Sequence, residues 1–600
     1  MEIATETHHR VAVTPAIAPN VRTLAIVVLL VACSAWLYGR RLEYAPPHVE
    51  IDEVLIAIDA HSISRTGRDL RGELLPLYSQ TAEHSWYQPL VIYLTAIVLR
   101  VAPLSESVIR LPTVCIAILN IALMYFVARR LFGSDFFGAV AGFMLALTPA
   151  HFIHTRYGMD YIYPVPFILA WLLCLVEYNE RRQPWLLVAG VTALGIGFYS
   201  YISSIVMMPL YAVLTCLMLA RQHAPRRSYW LVAASFLPWL APFLAWLARH
   251  PAAYAATIEK YGVYDASQLN AVQGLRSFLS FTSVSQRLSQ YWNFFNPSFL
   301  FFGGGTKVMF STGLAGVFLL PFAVLLIIGI YRAVKPLTPV GLVLVAGFAV
   351  APLPALLVAE ENAIFRALSL LPFAVLLATM GVEYLWSASI DKPVRAIYRP
   401  LAIAALVVGV AYGSWTLVTQ ARLTRSSVPL VALGAAALLV GKADRVTQWK
   451  IVAVGLLALM PLQFWSFRRD YFSDYRVRSA VWLGGNIRGA LEELIDRDRR
   501  EHAPQIYFSP LRAGSGQLDG RNQYMDAYWK FYVIKHGRQD LLARTMPFDP
   551  DKVRTSPPGS LVLANLEDPV TGALVKKGEL KPVATISELD QSKFFVVLQR

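Results

Sequence analysis

The chain has 600 residues, of which 56% are hydrophobic and only 16% are charged. A mean hydropathy of +0.48 leaves most of this length without a polar surface to face water, which excludes an ordinary soluble multidomain protein. The formal net charge of +15 does not indicate nucleic-acid binding, because lysine and arginine of membrane proteins collect in cytoplasmic loops and beside anionic headgroups. We therefore expect a polytopic α-helical protein whose partners are membrane lipids and not nucleic acid.

The first apolar run extends from Thr23 to Gly39. A helix needs about 20 apolar residues to cross the roughly 30 Å hydrocarbon core of a bilayer. This run follows Arg10 and Arg22 and has no small-residue cleavage site after it, so it predicts a retained signal anchor. Residues 1–22 are then expected in the cytoplasm.

The stretch 88–102 is too short to be a second span. Between Pro89 and Arg100 only about ten apolar residues are available, roughly 15 Å of helix, which favours a helix lying in the membrane interface. With that stretch excluded, basic turns fall on the N-terminal side of the membrane in loop after loop, as the positive-inside rule requires. The pattern predicts about 13 transmembrane helices, the twelve after the first lying near 108–128, 136–152, 164–177, 185–200, 203–220, 229–248, 313–331, 338–358, 367–386, 400–418, 428–441 and 451–466.

The charge pattern divides the chain into a transmembrane module at 23–466 and a tail at 467–600. The tail has no long apolar stretch. Short β-like runs at 505–508, 560–564 and 594–598 alternate in it with helical patterns near 478–500 and 525–545, which predicts a soluble α/β domain. With a cytoplasmic N-terminus and an odd number of spans, we expect this domain in the periplasm of a bacterial inner membrane. The exterior loops of the module are expected at 40–107, 153–163, 249–312 and 359–366.

The first exterior loop opens with a predicted amphipathic helix. Ile51, Leu55 and Ile58 form its apolar stripe, while Asp52 and Asp59 share a neighbouring polar face. This pattern predicts an interfacial helix with carboxylates at the water boundary. A solvated face without chemistry explains the same pattern from periodicity alone.

Two arginines and a lysine mark further exterior positions. Arg156 and Asp160 lie in the second loop, and Arg366 lies at the start of a span, where a planar guanidinium suits a phosphate group. A local Arg156–Asp160 ion pair and snorkelling of Arg366 to the headgroups are the alternatives. Lys307 follows a triple glycine that lacks the Walker pattern.

Several short motifs, each weak alone, occur together in a fixed order. They are Asp52-Glu53, Thr66-Gly67-Arg68-Asp69, Leu75-Pro76-Leu77-Tyr78, Gln88-Pro89-Leu90, Ile109-Arg110-Leu111-Pro112, Arg129-Arg130-Leu131-Phe132-Gly133, and Thr155-Arg156 followed by Asp160. The order of these motifs and the side of the membrane on which each is expected resemble those of a known family. Over roughly residues 20–380 the chain resembles integral-membrane glycosyltransferases of the GT-C fold, in particular the family 39 group of protein O-mannosyltransferases and aminoarabinose transferases.

The resemblance implies transfer of a hexosyl or pentosyl unit from a polyprenyl-phosphate carrier to an acceptor hydroxyl on a lipid, a glycan or a protein at the periplasmic face, with inversion as in related enzymes. It implies Asp52 as the general base, supported by Glu53 and Asp160, and Arg366 with Arg156 or Lys307 as the phosphate site. Some GT-C enzymes use a divalent cation, for which Asp52 and Asp160 are the candidate ligands, but the first loop has no Asp-x-Asp.

A transporter or flippase for a lipid-linked sugar is the alternative function. Such proteins tend to have internal repeats and ionisable residues near the middle of the membrane. Here the two halves are dissimilar and the acidic residues lie at one boundary, which favours the transferase.

Overall fold

In a computed structural model of the chain, the described residues are 20–82, 85–265, 268–305, 307–358, 361–387, 445–511 and 520–600, with the isolated positions 407, 410, 411 and 414. The helices up to residue 387 are α1 (Val21–Gly39), α2 (Ile51–Thr66), α3 (Pro89–Val101), α4 (Glu106–Phe132), α5 (Asp135–Ala146), α6 (Pro149–Thr155), α7 (Pro164–Arg181), α8 (Pro184–Gly197), α9 (Ser204–Arg221), α10 (Arg226–Phe236), α11 (Leu240–Arg249), α12 (Pro251–Lys260), α13 (Ala271–Phe278), α14 (Phe281–Asn293), α15 (Leu320–Val334), α16 (Pro339–Val350) and α17 (Leu370–Trp386).

Within the described part of the chain, six helices are long and apolar enough to cross a membrane. They are Val21–Gly39, Glu106–Phe132, Ser204–Arg221, Arg226–Arg249, Pro339–Leu357 and Thr447–Tyr471. The span predicted at 136–152 is broken, since α5 and α6 meet at a bend of 62°; counted as one, this pair makes seven. The spans predicted near 400–418 and 428–441 lie outside the described residues, and the count of thirteen stays a prediction.

Local signals explain where the helices near the site begin and end. The Ser105 hydroxyl accepts a hydrogen bond from the backbone N–H of Val108 at the start of α4, and Gly133 ends that helix at a φ of 63°, which suits glycine. The interfacial segment predicted at 88–102 is a helix, with Pro89 at its first position.

Helices α15 and α17 pack closely along small residues. A Cβ atom added at Gly329 would lie 1.7 Å from the carbonyl oxygen of Leu377, and one added at Gly381 would lie 2.1 Å from that of Leu325. Only glycine permits this approach, a common means of helix association in membranes. The contact brings Arg366, in the turn before α17, to a defined position.

The C-terminal region forms an α/β domain, as predicted. Its helices are Asp474–Ala480, Ile487–Glu501, Met525–Lys535, Asp540–Ala543 and Pro569–Lys576, and its strands, numbered after the β1 (Ser79–Ala82) and β2 (Ser85–Tyr87) hairpin, are β3 (Ile506–Phe508), β4 (Thr545–Pro547), β5 (Leu561–Asn565), β6 (Lys581–Ser587) and β7 (Lys593–Gln599). The strand order is β4-β3-β5-β7-β6, with β3 parallel to both of its neighbours and β7 antiparallel to both of its own. The predicted runs 505–508, 560–564 and 594–598 correspond to β3, β5 and β7.

The C-terminal domain rests on the first loop. Helix Met525–Lys535 packs against α2, and the Lys535 ammonium lies 2.7 Å from the carboxylate of Glu106 at the start of α4. His48 Nε2 lies 2.9 Å from both carboxylate oxygens of Glu588, and both side chains are buried. These contacts place the domain beside the beginning of α2.

Candidate functional site

The first turn of α2 holds Asp52 by a capping box. The Glu50 carboxylate accepts the backbone N–H of Asp52 at 2.6 Å, and Glu53 accepts the backbone N–H of Glu50 at 3.0 Å. The first turn of a helix favours acidic residues, because its unpaired N–H groups carry partial positive charge. Tyr87, at the end of β2, donates its hydroxyl to Asp52 Oδ1, so the backbone and the carboxylate of Asp52 are each held by a hydrogen bond.

Glu53 follows Asp52 directly but has different partners, and its supporting role stays a prediction. Its Oε1 accepts from Arg110 Nε at 2.8 Å and from the backbone N–H of Gly158 at 2.6 Å, and its Oε2 accepts from Arg110 Nη2 at 3.0 Å. The side chain is buried, so its oxygens are engaged within the protein. Glu53 joins α2 to the loop that carries Asp160, and we assign it a positioning role.

Asp59, the other acid predicted on the polar face of α2, is also buried. It accepts the backbone N–H of Leu70 at 3.0 Å and the hydroxyl of Ser79. These bonds hold the hairpin that carries Tyr87 against α2. The helix is therefore enclosed in the protein, and the predicted water-facing stripe is limited to its N-terminal turn.

Arg156, expected to bind phosphate, is fully buried and engaged with the backbone. Its guanidinium donates at 2.7–3.0 Å to four carbonyl oxygens, those of Tyr38, Arg40, Arg41 and Ala45. The ring of Phe472 lies 4.9 Å from its central carbon. These contacts close the turn after α1 and favour a structural role for Arg156, whose place in the phosphate site stays a prediction.

Asp160 lies in the buried turn between α6 and α7, near Asp52. Burial, with a smaller contribution from the Asp52 carboxylate, raises the pKa of Asp160 from 3.8 to about 8. Arg366 opposes this shift, which shows that its positive charge lies near the same carboxyl group. Asp160 is therefore protonated at neutral pH and can donate a hydrogen bond.

The predicted cations Arg366 and Lys307 share an aromatic support. The Arg366 guanidinium lies 4.9 Å from the ring centroids of both Tyr261 and Phe365, and the Lys307 ammonium lies 5.8 Å from that of Phe365. Burial and the nearby Arg366 charge lower the pKa of Lys307. The structure thus brings Arg366, Lys307, Asp52 and Asp160 into one region.

Lys260, the last residue of α12, is a further member of this region that sequence reasoning missed. Burial lowers the pKa of Lys260, Asp52 raises it, and Arg366 lowers it further, so its ammonium lies near both charges. Its only sequence signal is its position at the end of an apolar helix in a long exterior loop. Lys260 and Lys307 each lie near Arg366, and this local concentration of positive charge favours an anionic ligand.

An apolar cavity of about 380 Å³ leads to two of these cations. Lys260 and Arg366 are the charged residues among its described lining. Most of the wall is apolar or aromatic, including Val206, Phe243, Trp246, Ile258 and Leu357. Such a cavity suits a ligand with a hydrocarbon part and an anionic group.

The residues do not form a protein cage for a metal ion. Asp52 and Asp160 are neighbours, but no group of three or more His, Cys, Asp or Glu side chains in the described ranges is arranged to hold a cation. Mg²⁺ commonly takes only one or two carboxylates together with phosphate oxygens and waters, so Asp52 and Asp160 stay the candidate ligands of a divalent ion.

Residues 84–246 match the sequence model of the family described as dolichyl-phosphate-mannose-protein mannosyltransferase. A comparison with curated protein sequences gives no match. The structure is similar to ArnT from Cupriavidus metallidurans bound to undecaprenyl phosphate, with a TM-score of 0.52, 13% identity and coverage of 96% of this chain and 98% of that one. The apo state of ArnT from the same organism gives a TM-score of 0.53 with the same identity and coverage.

The two ArnT structures match nearly the whole length of both chains, and at 13% identity this structural similarity shows the fold alone. The family match covers the second half of the first loop, α4 and the turn that carries Asp160. The chain therefore has the GT-C fold of the ArnT structures, and residues 84–246 are similar to the family of protein mannosyltransferases.

Proposed function

We propose that this protein is a membrane glycosyltransferase that transfers a sugar from a polyprenyl-phosphate donor to an acceptor hydroxyl. One observation carries the proposal: the apolar cavity leads to Lys260 and Arg366, which lie beside the carboxyl groups of Asp52 and Asp160. A polyprenyl chain fits the apolar wall and its phosphate fits the cations. The undecaprenyl phosphate bound by ArnT, a protein of the same fold, supports this class of donor.

In the proposed reaction, Asp52 is the general base. The acceptor hydroxyl gives its proton to the Asp52 carboxylate while its oxygen forms a bond to the anomeric carbon of the sugar. The bond between that carbon and the phosphate oxygen breaks, and polyprenyl phosphate leaves with the electron pair. Base and leaving group on opposite faces of the sugar produce inversion.

The neighbouring charged and polar side chains are proposed to stabilise the leaving group and to orient the base. Arg366, Lys260 and Lys307 stabilise the negative charge that develops on the leaving phosphate. Tyr87 orients the Asp52 carboxylate, and Asp160, protonated at neutral pH, donates a hydrogen bond without adding negative charge near the phosphate. The sugar, hexosyl or pentosyl, is the part of the donor that these residues do not specify.

The proposed location is the bacterial inner membrane, with the active site and the domain 467–600 on the periplasmic side and residues 1–22 in the cytoplasm. The charge pattern of the loops supports this orientation. The domain is then on the same side of the membrane as Asp52, as its contacts with α2 require.

The test is consumption of labelled polyprenyl-phosphate sugars by the purified protein, followed as release of polyprenyl phosphate. The parent consumes a donor, and Asp52→Asn lowers the rate by about 10²–10⁴-fold, because the base is lost while the shape is kept. Asp551→Asn, an exposed acid in the C-terminal domain, is the matched control and keeps the parent rate. Consumption at the parent rate by Asp52→Asn would remove Asp52 from the mechanism. Transport of the intact donor across the membrane of vesicles that contain the protein would instead favour the transporter.

A further inference from the structure

A second cavity lies where the C-terminal domain meets the beginning of α2. Its volume is about 680 Å³, within the range of small-molecule sites. Glu50 and Ile51 line it from the first loop, while Trp482, Tyr524 and Phe594 are among the residues that line it from the C-terminal domain. This cavity is separate from the apolar cavity described above, since the two share no lining residue.

Asp52 is close to both cavities. After burial, the charges of Asp52 and Glu50 are the causes that raise the pKa of Tyr524, a residue of the second cavity. The Asp52 charge also raises the pKa of Lys260, a residue of the apolar cavity. Asp52 directly follows Ile51, which lines the second cavity, and its Oδ1 accepts from Tyr87, whose chain neighbours Trp86 and Gln88 line the apolar cavity.

The second cavity has the chemistry of a carbohydrate site. Trp482 lines the cavity and is 69% exposed, so its indole face is accessible to a ligand there. The aromatic faces of Trp482, Tyr524 and Phe594 can pack on the apolar face of a sugar ring. Glu50 and Gln523 supply the carboxylate and carboxamide groups that bond to hydroxyls.

A peptide acceptor fits this cavity less well. Extended peptides commonly bind by adding a strand to an open sheet edge, which supplies main-chain hydrogen bonds. The strand that reaches the cavity is β7, through Phe594, and β7 pairs with β5 on one side and β6 on the other. No open strand edge is therefore present among the described lining residues.

We propose that the second cavity is the acceptor site and that the acceptor is a carbohydrate, held against Trp482 of the C-terminal domain with a hydroxyl directed towards Asp52. This inference rests on the proposed transferase function. It gives the C-terminal domain a role in acceptor recognition.

The experiment compares the full-length parent with Trp482→Ala, Trp482→Phe and the control Trp185→Ala, an exposed tryptophan at the start of α8. A panel of soluble glycosides and Ser/Thr peptides is offered with labelled donor, and binding of polyprenyl phosphate is measured on the same proteins. Trp482→Ala raises the KM for a glycoside at least tenfold and leaves polyprenyl phosphate binding within twofold of the parent. Trp482→Phe restores most of the loss, and Trp185→Ala behaves as the parent does.

A diazirine-bearing glycoside provides a readout that does not need turnover. Mass spectrometry of the photolabelled parent should place the label within residues 481–485 or 523–528. Transfer to peptides alone, an unchanged KM in Trp482→Ala, or labelling elsewhere would overturn the inference. If the parent consumes no donor, the proposed function fails, and the photolabelling result then decides the carbohydrate site by itself.

Discussion

Arg110 and Glu53 form a bidentate ion pair, with Nε–Oε1 and Nη2–Oε2 distances of 2.8 and 3.0 Å, and both side chains are buried. Arg110 also donates to the carbonyl oxygens of Leu42 and His48, and Glu53 accepts from Gly158. The pair therefore connects the turn after α1, the start of α2, α4 and the loop of Asp160. It sets the positions of Asp52 and Asp160 relative to each other.

Removal of one partner of this pair is expected to destabilise the protein. Glu53→Ala leaves the Arg110 guanidinium buried without its carboxylate, a change that costs about 3–5 kcal/mol in comparable buried pairs. The midpoint of thermal unfolding in detergent should fall. Glu579→Gln, which breaks the exposed pair with Arg554, is the control and should leave the midpoint unchanged. An unchanged midpoint in Glu53→Ala would contradict the structural role of the pair.

Loss of either cation of the phosphate site should weaken donor binding. A hydrogen bond to a charged group contributes about 1.5–3 kcal/mol, so Arg366→Gln and Lys260→Gln should each raise the Kd for labelled polyprenyl phosphate by about 10–100-fold. Arg276→Gln changes an exposed arginine of the same exterior loop as Lys260 and should leave the Kd unchanged. Equal affinities in all three variants would show that the phosphate binds elsewhere.

The pKa of Asp160 predicts a pH dependence of donor binding. The group is protonated below about pH 8 and becomes anionic above it, where it repels the donor phosphate. Affinity for polyprenyl phosphate should therefore fall as the pH rises through about 8, and Asp160→Asn should remove this step. A step that persists in Asp160→Asn would assign the titration to another group, such as Lys260.

The same pKa shift has a consequence for stability. The folded-state pKa of Asp160 is raised from 3.8 to about 8, so the folded state holds a proton that the unfolded state releases. The contribution of this group to stability is complete below about pH 4 and is lost as the pH rises towards 8. Unfolding midpoints of the parent and Asp160→Asn at pH 5 and pH 8 measure this difference.

The orientation of the chain is open to a direct test. A reporter that is active only in the periplasm, fused after Arg600, should be active, and a reporter active only in the cytoplasm should be silent. The same pair of reporters fused after Gly39 tests whether the first loop lies on the same side. Opposite sides for the two fusions would contradict the packing of helix Met525–Lys535 against α2.

The hydropathy pattern by itself determined the membrane class, the boundaries of most described apolar helices and the change to an α/β domain near residue 467. These features depend on the local composition of about 20 residues at a time, which a sequence displays directly. The break between α5 and α6 was missed although Pro149, at the first position of α6, marks it in the sequence. Strands β4 and β6 were missed because Thr545–Pro547 and Lys581–Ser587 lack the continuous apolar run of β5 or β7.

The candidate site shows the same division. The rarity of ionisable residues at a membrane boundary drew attention to Asp52, Glu53, Arg156, Asp160 and Arg366 alike. Only the tertiary structure separated them, because the carbonyl oxygens that engage Arg156 and the guanidinium that engages Glu53 come from distant parts of the chain. The proximity of Lys260 to Arg366 could not be predicted either. The two residues are about a hundred positions apart in the chain, and only the tertiary structure brings their charges together.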